Sequence, residues 1–299
     1  MYNGIINVYK EKGYTSHDVV AKLRGILRQK KIGHTGTLDP DAQGVLPVCL
    51  GSGTKLSEML TDKDKTYSAT LLLGITTDTQ DTSGTIQAKA EVNVNEAEVK
   101  DAILSFVGEY NQIPPMYSAI KVNGKKLYEL AREGKEINRA SRLVKINEII
   151  IEELKLPRIK ITVSCSKGTY IRTLCHDIGN VLGCGGCMEE LLRIKSGRFH
   201  LKDSYKLDEI IDLRDKGLLE DIIISVENIF LDYEKCVVKE EYSKLIYNGN
   251  PFGKKHLIEH EISDINLPVR VYDHKDTFIG IYQYKLEIQL FKAIKMFLN

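Results

Sequence analysis

Apolar residues along the chain recur with the spacings that distinguish strands from helices. Every second residue from Tyr67 to Leu73 is apolar, which predicts a strand over residues 65–73. The continuous apolar run at residues 45–50 ends at Gly51 and is short enough for a buried strand. Further strands are predicted at residues 5–9, 144–153 and 158–164.

Helical spacing appears in other segments. Val19, Val20, Leu23 and Leu27 fall on one face of a predicted helix, with Ser16 as its N-cap. The other predicted helices run from Asn95 to a glycine stop at Gly108, from about Tyr170 to Leu182, and over a short basic stretch that ends near Gly134. The helices and strands lack strict βαβ alternation, which favours an α+β fold over a doubly wound one.

The last part of the chain, residues 227–299, is rich in predicted strands. Residues 269–272 and 278–284 flank a turn at 273–276. A segment of this size and kind suits a small β-barrel attached to a larger domain of residues 1–226. No repeat or low-complexity linker separates the two parts, so we expect them to pack closely.

Residues 112–142 differ in character from the segments around them. The pair Pro114-Pro115 is followed by the turn signal Asn123-Gly124 and then by the basic helix. This pattern predicts an insertion whose positive surface faces a partner.

Charge is unevenly distributed along the chain, although the net charge is only +1. Residues 22–31 contain five basic and no acidic side chains, and residues 121–145 contain eight basic against three acidic. Residues 203–241 contain twelve acidic against five basic side chains. The asymmetry indicates a polyanionic partner for the first two thirds of the chain, but ordinary solvated helix faces explain it equally well.

The composition is that of a folded protein and excludes the disordered and fibrous classes, because 42% of the 299 residues are hydrophobic. The first residues lack the features of a signal peptide, and no apolar run approaches the length of a membrane span. Six cysteines without a framework spacing suit reduced thiols. These features predict a cytoplasmic protein without membrane contact.

Two cysteine patterns remain open to more than one interpretation. Cys184 and Cys187 have the spacing of half a zinc site, but no second pair accompanies them, so a structural or incidental role is favoured. Cys175 is followed by His176, yet adjacent helical residues point in different directions, which argues against a Cys-His nucleophile. We expect no metal ion.

One loop concentrates the residue types that hold a reactive group. The stretch GHTGTLDPDAQG at residues 33–44 contains three glycines, two threonines and a proline around Asp39. Such residues restrict the backbone and thereby fix one carboxylate. From the residue types alone, an ordinary Asp-Pro turn is the favoured explanation of the same residues. The loop lacks the Gly-Lys-Ser/Thr ending of a Walker phosphate loop.

The stretch at residues 33–50 resembles the signature of the pseudouridine synthases that act on the T-loop of tRNA. The likeness recurs in order along the chain over about 170 residues, and five separated motifs together make it specific. The further motifs are KTY at residues 65–67, TDTQD at 77–81, QIPPMYSAIK at 112–121 and GTYIR at 168–172.

The resemblance implies a reaction and roles for individual residues. Asp39 would be the nucleophile that isomerises the uridine at position 55 on a flipped-out nucleotide, and Arg172 would pair with Asp39. Tyr67 would stack on the uracil and transfer the proton. The remaining substrate contacts implied are His34, in the space that the base vacates, and Tyr170 and Leu191, which line the pocket. From residue types alone, the tyrosines and the leucine suit a core, and the histidine suits a solvated loop.

The resemblance also implies contacts to the RNA backbone. The positions concerned are Lys121, Lys125, Lys126 and Arg193. The chain departs from the family pattern at Leu192, where the family has the first of two consecutive arginines. One backbone contact is therefore expected to be weaker or replaced.

The fold implied is the pseudouridine synthase fold, with a mixed, largely antiparallel sheet and a small C-terminal β-barrel similar to a PUA RNA-binding domain. The implied enzyme needs no cofactor, acts as a monomer and takes tRNA without a guide RNA. Two rival hypotheses remain: the RNA-guided synthase of ribonucleoprotein particles, which shares the aspartate loop, and an RNA chaperone without catalytic activity.

Overall fold

The computed structural model describes residues 1–122, 124–258 and 262–298. Its helices are α1 (Ser16–Ile26), α2 (Ser57–Thr61), α3 (Glu96–Leu104), α4 (Leu127–Arg132), α5 (Ile171–Val181), α6 (Leu207–Asp215) and α7 (Ser243–Tyr247). Short 3₁₀ helices lie at Gly51–Leu56, Leu201–Asp203, Leu219–Ile222, Glu227–Phe230, Glu240–Tyr242 and Lys254–His256. Within these described ranges, no helix is long and apolar enough to cross a membrane.

The strands of the larger part of the chain form one main sheet and two hairpins. They are β1 (Gly4–Lys10), β2 (Ile32–His34), β3 (Gln43–Leu50), β4 (Lys65–Leu73), β5 (Ile75–Thr77), β6 (Ile86–Lys89), β7 (Gly108–Gln112), β8 (Lys121–Val122), β9 (Lys125–Lys126), β10 (Arg142–Lys155), β11 (Arg158–Cys165), β12 (Gly186–Ser196) and β13 (Phe199–His200). The main sheet runs β1-β3-β12-β4-β11-β10-β7, with β2 on β3 and β13 on β12.

The main sheet is mixed and largely antiparallel, as predicted. β12 pairs with β3 in parallel, whereas β1 with β3 and β4 with both β11 and β12 are antiparallel. Helices pack on the sheet without strict alternation, so the α+β class is confirmed.

β4 crosses the centre of the sheet, and its predicted alternation of buried residues is present up to the apolar end of the strand. Leu71 of β4 packs with Leu174 and Ile178 of α5, and all three are fully buried. Burial of each such side chain contributes about 1.5 to 3 kcal/mol. The start of α5 is thereby fixed beside β4.

Two predicted helix boundaries were wrong. The N-cap of α1 is Thr15, whose side chain accepts the Asp18 N–H in a capping box, so Ser16 is the first helical residue and is buried. Helix α3 ends at Leu104 and not at Gly108, because Gly108 has a positive φ of 111° and begins β7. The positive φ at this glycine starts the strand β7 and does not end the helix.

The segment between β7 and β10 contains a short hairpin and helix α4. β8 and β9 pair across the predicted turn, of which Gly124 has a φ of 83° and Asn123 lies outside the described residues. Helix α4 is followed by Gly134 at a φ of 72°, near the predicted end of the basic helix.

The C-terminal strands form a second, smaller sheet. They are β14 (Glu234–Val237), β15 (Val269–Tyr272), β16 (Phe278–Lys285) and β17 (Leu290–Met296), paired in that order. A cluster that includes Ile5, Val45, Phe230, Ile281 and Phe297 joins this sheet to the main sheet, so the predicted close packing is present. The described pairings give an open sheet, and a closed barrel stays a prediction.

The start of β3 should be sensitive to any side chain at Gly44. Its φ is 105°, and a Cβ there would lie 2.3 Å from the carbonyl oxygen of Arg193 on β12. We expect Gly44→Ala to lower the free energy of unfolding in urea by about 1 to 3 kcal/mol more than Gly13→Ala does. Gly13 is a matched control, because its φ is also positive at 88° but nothing lies within 4 Å of its Cβ position. Equal losses would contradict close packing at Gly44.

Candidate active site

Asp39 lies in a loop between β2 and β3 whose backbone is bonded on both sides. The Leu38 N–H donates to the Ser16 hydroxyl at 2.9 Å, and the Ala42 N–H donates to the Asp39 carbonyl at 3.1 Å. The Gly13 N–H donates to the Pro40 carbonyl at 3.0 Å. These bonds fix the turn, so Asp39 has little backbone freedom.

Lys10 supports the same loop and was missed by the sequence reasoning. Its buried ammonium donates to the carbonyls of Ala42 at 2.6 Å, Pro40 at 3.0 Å and Glu11 at 3.1 Å. Burial lowers the pKa of Lys10 to about 8, so the ammonium remains charged at pH 7. The alternation of faces along β1 could have identified Lys10 as buried, since it places Lys10 on the same face as Ile6 and other buried residues.

Arg172, at the start of α5, contacts Asp39 as predicted. Its side chain is 6% exposed, and its Nε lies 3.0 Å from Asp39 Oδ2. The other guanidinium nitrogens donate to the carbonyls of Thr79 at 3.1 Å and Tyr117 at 2.8 Å, and Nη1 lies 3.7 Å from Asp81 Oδ2. The Arg172 guanidinium therefore joins the aspartate loop to the TDTQD motif at residues 77–81 and to the QIPPMYSAIK motif at residues 112–121.

The Asp39 carboxylate is held by this cation but remains accessible. Its side chain is 42% exposed. Burial raises the pKa of Asp39, and the Arg172 charge acts in the opposite direction. The arginine therefore favours the ionised form that a nucleophile or a cation-stabilising group needs.

Tyr67 lies on β4 directly opposite Arg193 of β12, and both side chains are buried. Burial raises the pKa of Tyr67, whereas the Arg193 guanidinium opposes that increase. Asp39 is close enough to raise the pKa of Tyr67 as well. The two groups predicted to act on the uridine therefore lie in one neighbourhood.

His34 is half-buried at the end of β2, where its Nδ1 accepts the Gly36 N–H at 3.3 Å. Its ring meets the ring of His17 edge-on, with centroids 5.5 Å apart. Burial, followed by the neighbouring His17, holds the pKa of His34 below the ordinary value of 6.5, so the imidazole is uncharged at pH 7. His17 was not identified from the sequence.

Tyr170 and Leu191 are both half-buried. Gln112 brackets the backbone of Tyr170, since its amide donates to the Tyr170 carbonyl at 3.0 Å and accepts the Tyr170 N–H at 2.7 Å. The start of the insertion is thereby tied to the start of α5. Leu191 packs against the hydrophobic cluster that contains Tyr67.

The residues predicted to contact the RNA backbone lie in two different settings. Lys121 and Lys125 are exposed, and Lys126 is half-buried with its ammonium 5.3 Å from the centre of the Tyr128 ring. Arg193 is only 1% exposed, so the prediction that it contacts the RNA backbone was wrong. Its place on β12 opposite Tyr67 turns it into the interior.

The cysteine patterns do not form a reactive or metal-binding site in the described part of the chain. Cys175, Cys184 and Cys187 are all buried. Burial raises the pKa of Cys175, which keeps its thiol protonated. Among the residues described, no group of three or more His, Cys, Asp or Glu side chains is arranged to hold a metal ion.

Comparison with known families matches most of the chain. Residues 24–171 match the model of the N-terminal domain of TruB family pseudouridylate synthases, and residues 172–231 match that of the tRNA pseudouridylate synthase B C-terminal domain. The chain belongs to the TruB family of pseudouridylate synthases. It is therefore a pseudouridine synthase, an isomerase.

Individual relatives of the TruB family match over nearly the full length. A tRNA pseudouridine synthase B of Lachnoclostridium phytofermentans is 52% identical over 306 residues, which covers 99% of this chain and 100% of the relative. That of Alkaliphilus oremlandii is 49% identical over 294 residues, which covers 98% of this chain and 97% of the relative.

A solved structure of an H/ACA ribonucleoprotein bound to a substrate RNA containing 2′-deoxyuridine has a similar fold. The TM-score is 0.72 at 25% sequence identity, and the match covers 99% of this chain and 85% of that chain. The pseudouridine synthase fold expected from the sequence is therefore confirmed.

The geometry at Arg172 predicts that charge alone is insufficient. We expect Arg172→Lys to lower the rate of pseudouridine formation by about 100-fold, because a lysine ammonium lacks the planar fork whose three nitrogens each contact a different partner. The rate is measured as release of tritium from RNA labelled at C5 of uridine, since C5 loses its hydrogen in the product. Arg158→Lys is the matched control, because Arg158 binds Glu189 in a bidentate pair with a side chain that is 56% exposed. Equal rates for the two variants would contradict the ion-pair argument.

Proposed function

We propose that this chain isomerises the uridine at position 55 in the T-loop of tRNA to pseudouridine, with Asp39 as the nucleophile. The observation that carries the proposal is the accessible Asp39 carboxylate, held at 3.0 Å by the buried Arg172 in a rigid loop. The names of the relatives, tRNA pseudouridine synthase B, support tRNA as the substrate.

The reaction needs a carboxylate at the sugar and a group that moves protons. The bond from N1 to C1′ breaks and its electron pair stays on the uracil, while Asp39 bonds to C1′. The uracil turns over, C5 bonds to C1′ and displaces Asp39, C5 loses its proton, and N1 gains one. Tyr67 stacks on the base and takes part in this proton transfer. The overall change is an isomerisation that needs no redox partner and no group donor.

The nucleotide reaches Asp39 by flipping out of the folded T-loop. Flipping costs a few kcal/mol in lost stacking, which new contacts must offset. His34, uncharged and half-buried beside the aspartate loop, fills the space that the base leaves. Tyr170 and Leu191 line the pocket for the flipped base.

Two exposed basic surfaces bind the phosphates and orient the RNA. The first is the insertion, with Lys121 and Lys125 exposed and Lys126 beside Tyr128. The second is the exposed basic face of residues 22–31, which consists of Lys22, Arg24, Arg28, Lys30 and Lys31. Such contacts position the substrate but do not read its sequence.

The two rival hypotheses differ from this proposal in testable ways. The fold is shared with a protein of an H/ACA ribonucleoprotein, so the fold alone does not separate a guided from an unguided synthase. The insertion at residues 112–142 and identity of about half over the full length to tRNA enzymes favour action without a guide RNA or other subunits. The Asp39, Tyr67 and Arg172 cluster favours catalysis over RNA folding alone.

The C-terminal segment of residues 227–299 is proposed to be a PUA-like RNA-binding domain. Its small sheet has its own hydrophobic core, built around Val271, Tyr282 and Phe291. Residues 1–226 are then the catalytic domain, and the enzyme acts as a cytoplasmic monomer.

The test of the function is to map pseudouridine in an unmodified tRNA transcript after incubation with the purified chain alone. We expect pseudouridine at position 55 without added guide RNA. Asp39→Ala should lower the rate by at least about 10³-fold, because it removes the bond-forming group, while tRNA binding stays within about threefold. Asp41→Ala is the matched control, since Asp41 is exposed two residues further on in the same loop. Wild-type rates for Asp39→Ala would end the assignment of Asp39.

Charge reversal in the insertion tests the RNA-binding surface. We expect the double variant Lys125→Glu, Lys126→Glu to weaken tRNA binding and to reduce the slope of log affinity against log salt by about 1 to 2. The double variant Lys155→Glu, Lys160→Glu adds the same charge to exposed positions on β10 and β11 and should leave the slope unchanged. Identical slopes for the two variants would place Lys125 and Lys126 outside the interface.

A further inference from the structure

Arg193 is a buried cation whose hydrogen-bond partners are uncharged groups. Its Nε donates to the Val45 carbonyl at 2.6 Å, and its Nη2 lies 3.5 Å from the Gly36 carbonyl. No ion pair to Arg193 occurs among the described residues, although the side chain is 1% exposed. Burial of a guanidinium, which cannot lose its proton, is costly without a carboxylate. Its location therefore calls for a role beyond packing.

The group beside the guanidinium is the Tyr67 hydroxyl. The register of β12 on β4 places Arg193 directly opposite Tyr67, where the guanidinium charge acts on the hydroxyl. Arginine has donors only, so the Tyr67 oxygen is the acceptor in any hydrogen bond between the two groups. Such a bond directs the hydroxyl proton of Tyr67 away from Arg193 and leaves it for another acceptor.

The same guanidinium also binds both ends of the aspartate loop. Gly36 precedes Asp39 by three residues, and Val45 follows it by six, so the bonds to their carbonyls span the turn. The backbone of Arg193 adds to this contact, because Gly44 pairs with it in the parallel ladder of β3 and β12. Arg193 thereby links the loop that carries Asp39 to the strand that carries Tyr67.

We infer that Arg193 is a positioning residue for the reaction: it orients the Tyr67 hydroxyl as a hydrogen-bond acceptor and fixes the Asp39 loop at a set distance from it. The inference rests on the proposed function, in which Tyr67 and Asp39 both act on the flipped uridine. The Arg193 charge also favours an ionised Tyr67 in an environment that otherwise opposes it.

A double-mutant cycle tests whether Arg193 acts through Tyr67. The variants are Arg193→Met, which removes the charge but keeps much of the volume, Tyr67→Phe, and the two together. We expect Arg193→Met to lower the single-turnover rate by about 100-fold while the dissociation constant for the tRNA stays within about twofold. The double variant should be no more than about threefold slower than the slower single variant, because the two changes remove one shared interaction.

An exposed arginine provides the control for the cycle. Arg158→Met, at an exposed arginine on β11, should keep the wild-type rate. Fully additive losses in the cycle, or a change in tRNA affinity alone, would overturn the inference. If Arg193→Met does not fold, Arg193→Lys replaces it, and a wild-type rate for that variant would overturn the inference, since a lysine lacks the planar fork. An inactive wild-type chain would instead overturn the proposed function and with it this inference.

Discussion

The interaction on which the site depends is the contact of the buried Arg172 guanidinium with Asp39. A guanidinium that is 6% exposed needs partners inside the protein, and Arg172 contacts Asp39 and the carbonyls of Thr79 and Tyr117. Movement of any one of these groups would leave a donor of a buried cation without a partner. The fold therefore holds the aspartate loop, the polar segment after β4 and the insertion in one arrangement.

A second constraint is that further buried cations are held by carbonyl groups of the loop and of the start of β3. Lys10 binds the carbonyls of Ala42 and Pro40, and Arg193 binds that of Val45. The acceptors of Lys10 and Arg193 are neutral carbonyl groups. These two cations are therefore held in place without a second carboxylate beside Asp39. The result is a rigid loop that presents one accessible carboxylate, which is the geometry that a displacement at a sugar carbon requires.

The sequence predicts the sheet well because strand periodicity follows directly from which residues meet the core, and the dense motif around Asp39 needs no tertiary information. It predicts less about residues whose role depends on a distant partner. The local sequence favours Ser16 as an N-cap, but its hydroxyl instead accepts the Leu38 N–H of the aspartate loop. The residue type of Arg193 suits an RNA contact, but its side chain is buried against β3. Lysine is usually a surface residue and glycine often ends a helix. In the sheet, however, Lys10 pairs with Gly44 of β3 and Gly108 pairs with Ile146 of β10.

The most direct measurement is a crystal structure of the chain with a tRNA T-stem-loop that carries an unreactive uridine analogue at the target position. We expect an everted nucleotide with one Asp39 oxygen about 3 to 3.5 Å from C1′, while the other oxygen remains on Arg172. A target nucleotide that stays stacked in the loop, or an Asp39 carboxylate turned away from the sugar with Arg172 released from it, would contradict the proposed role of Asp39.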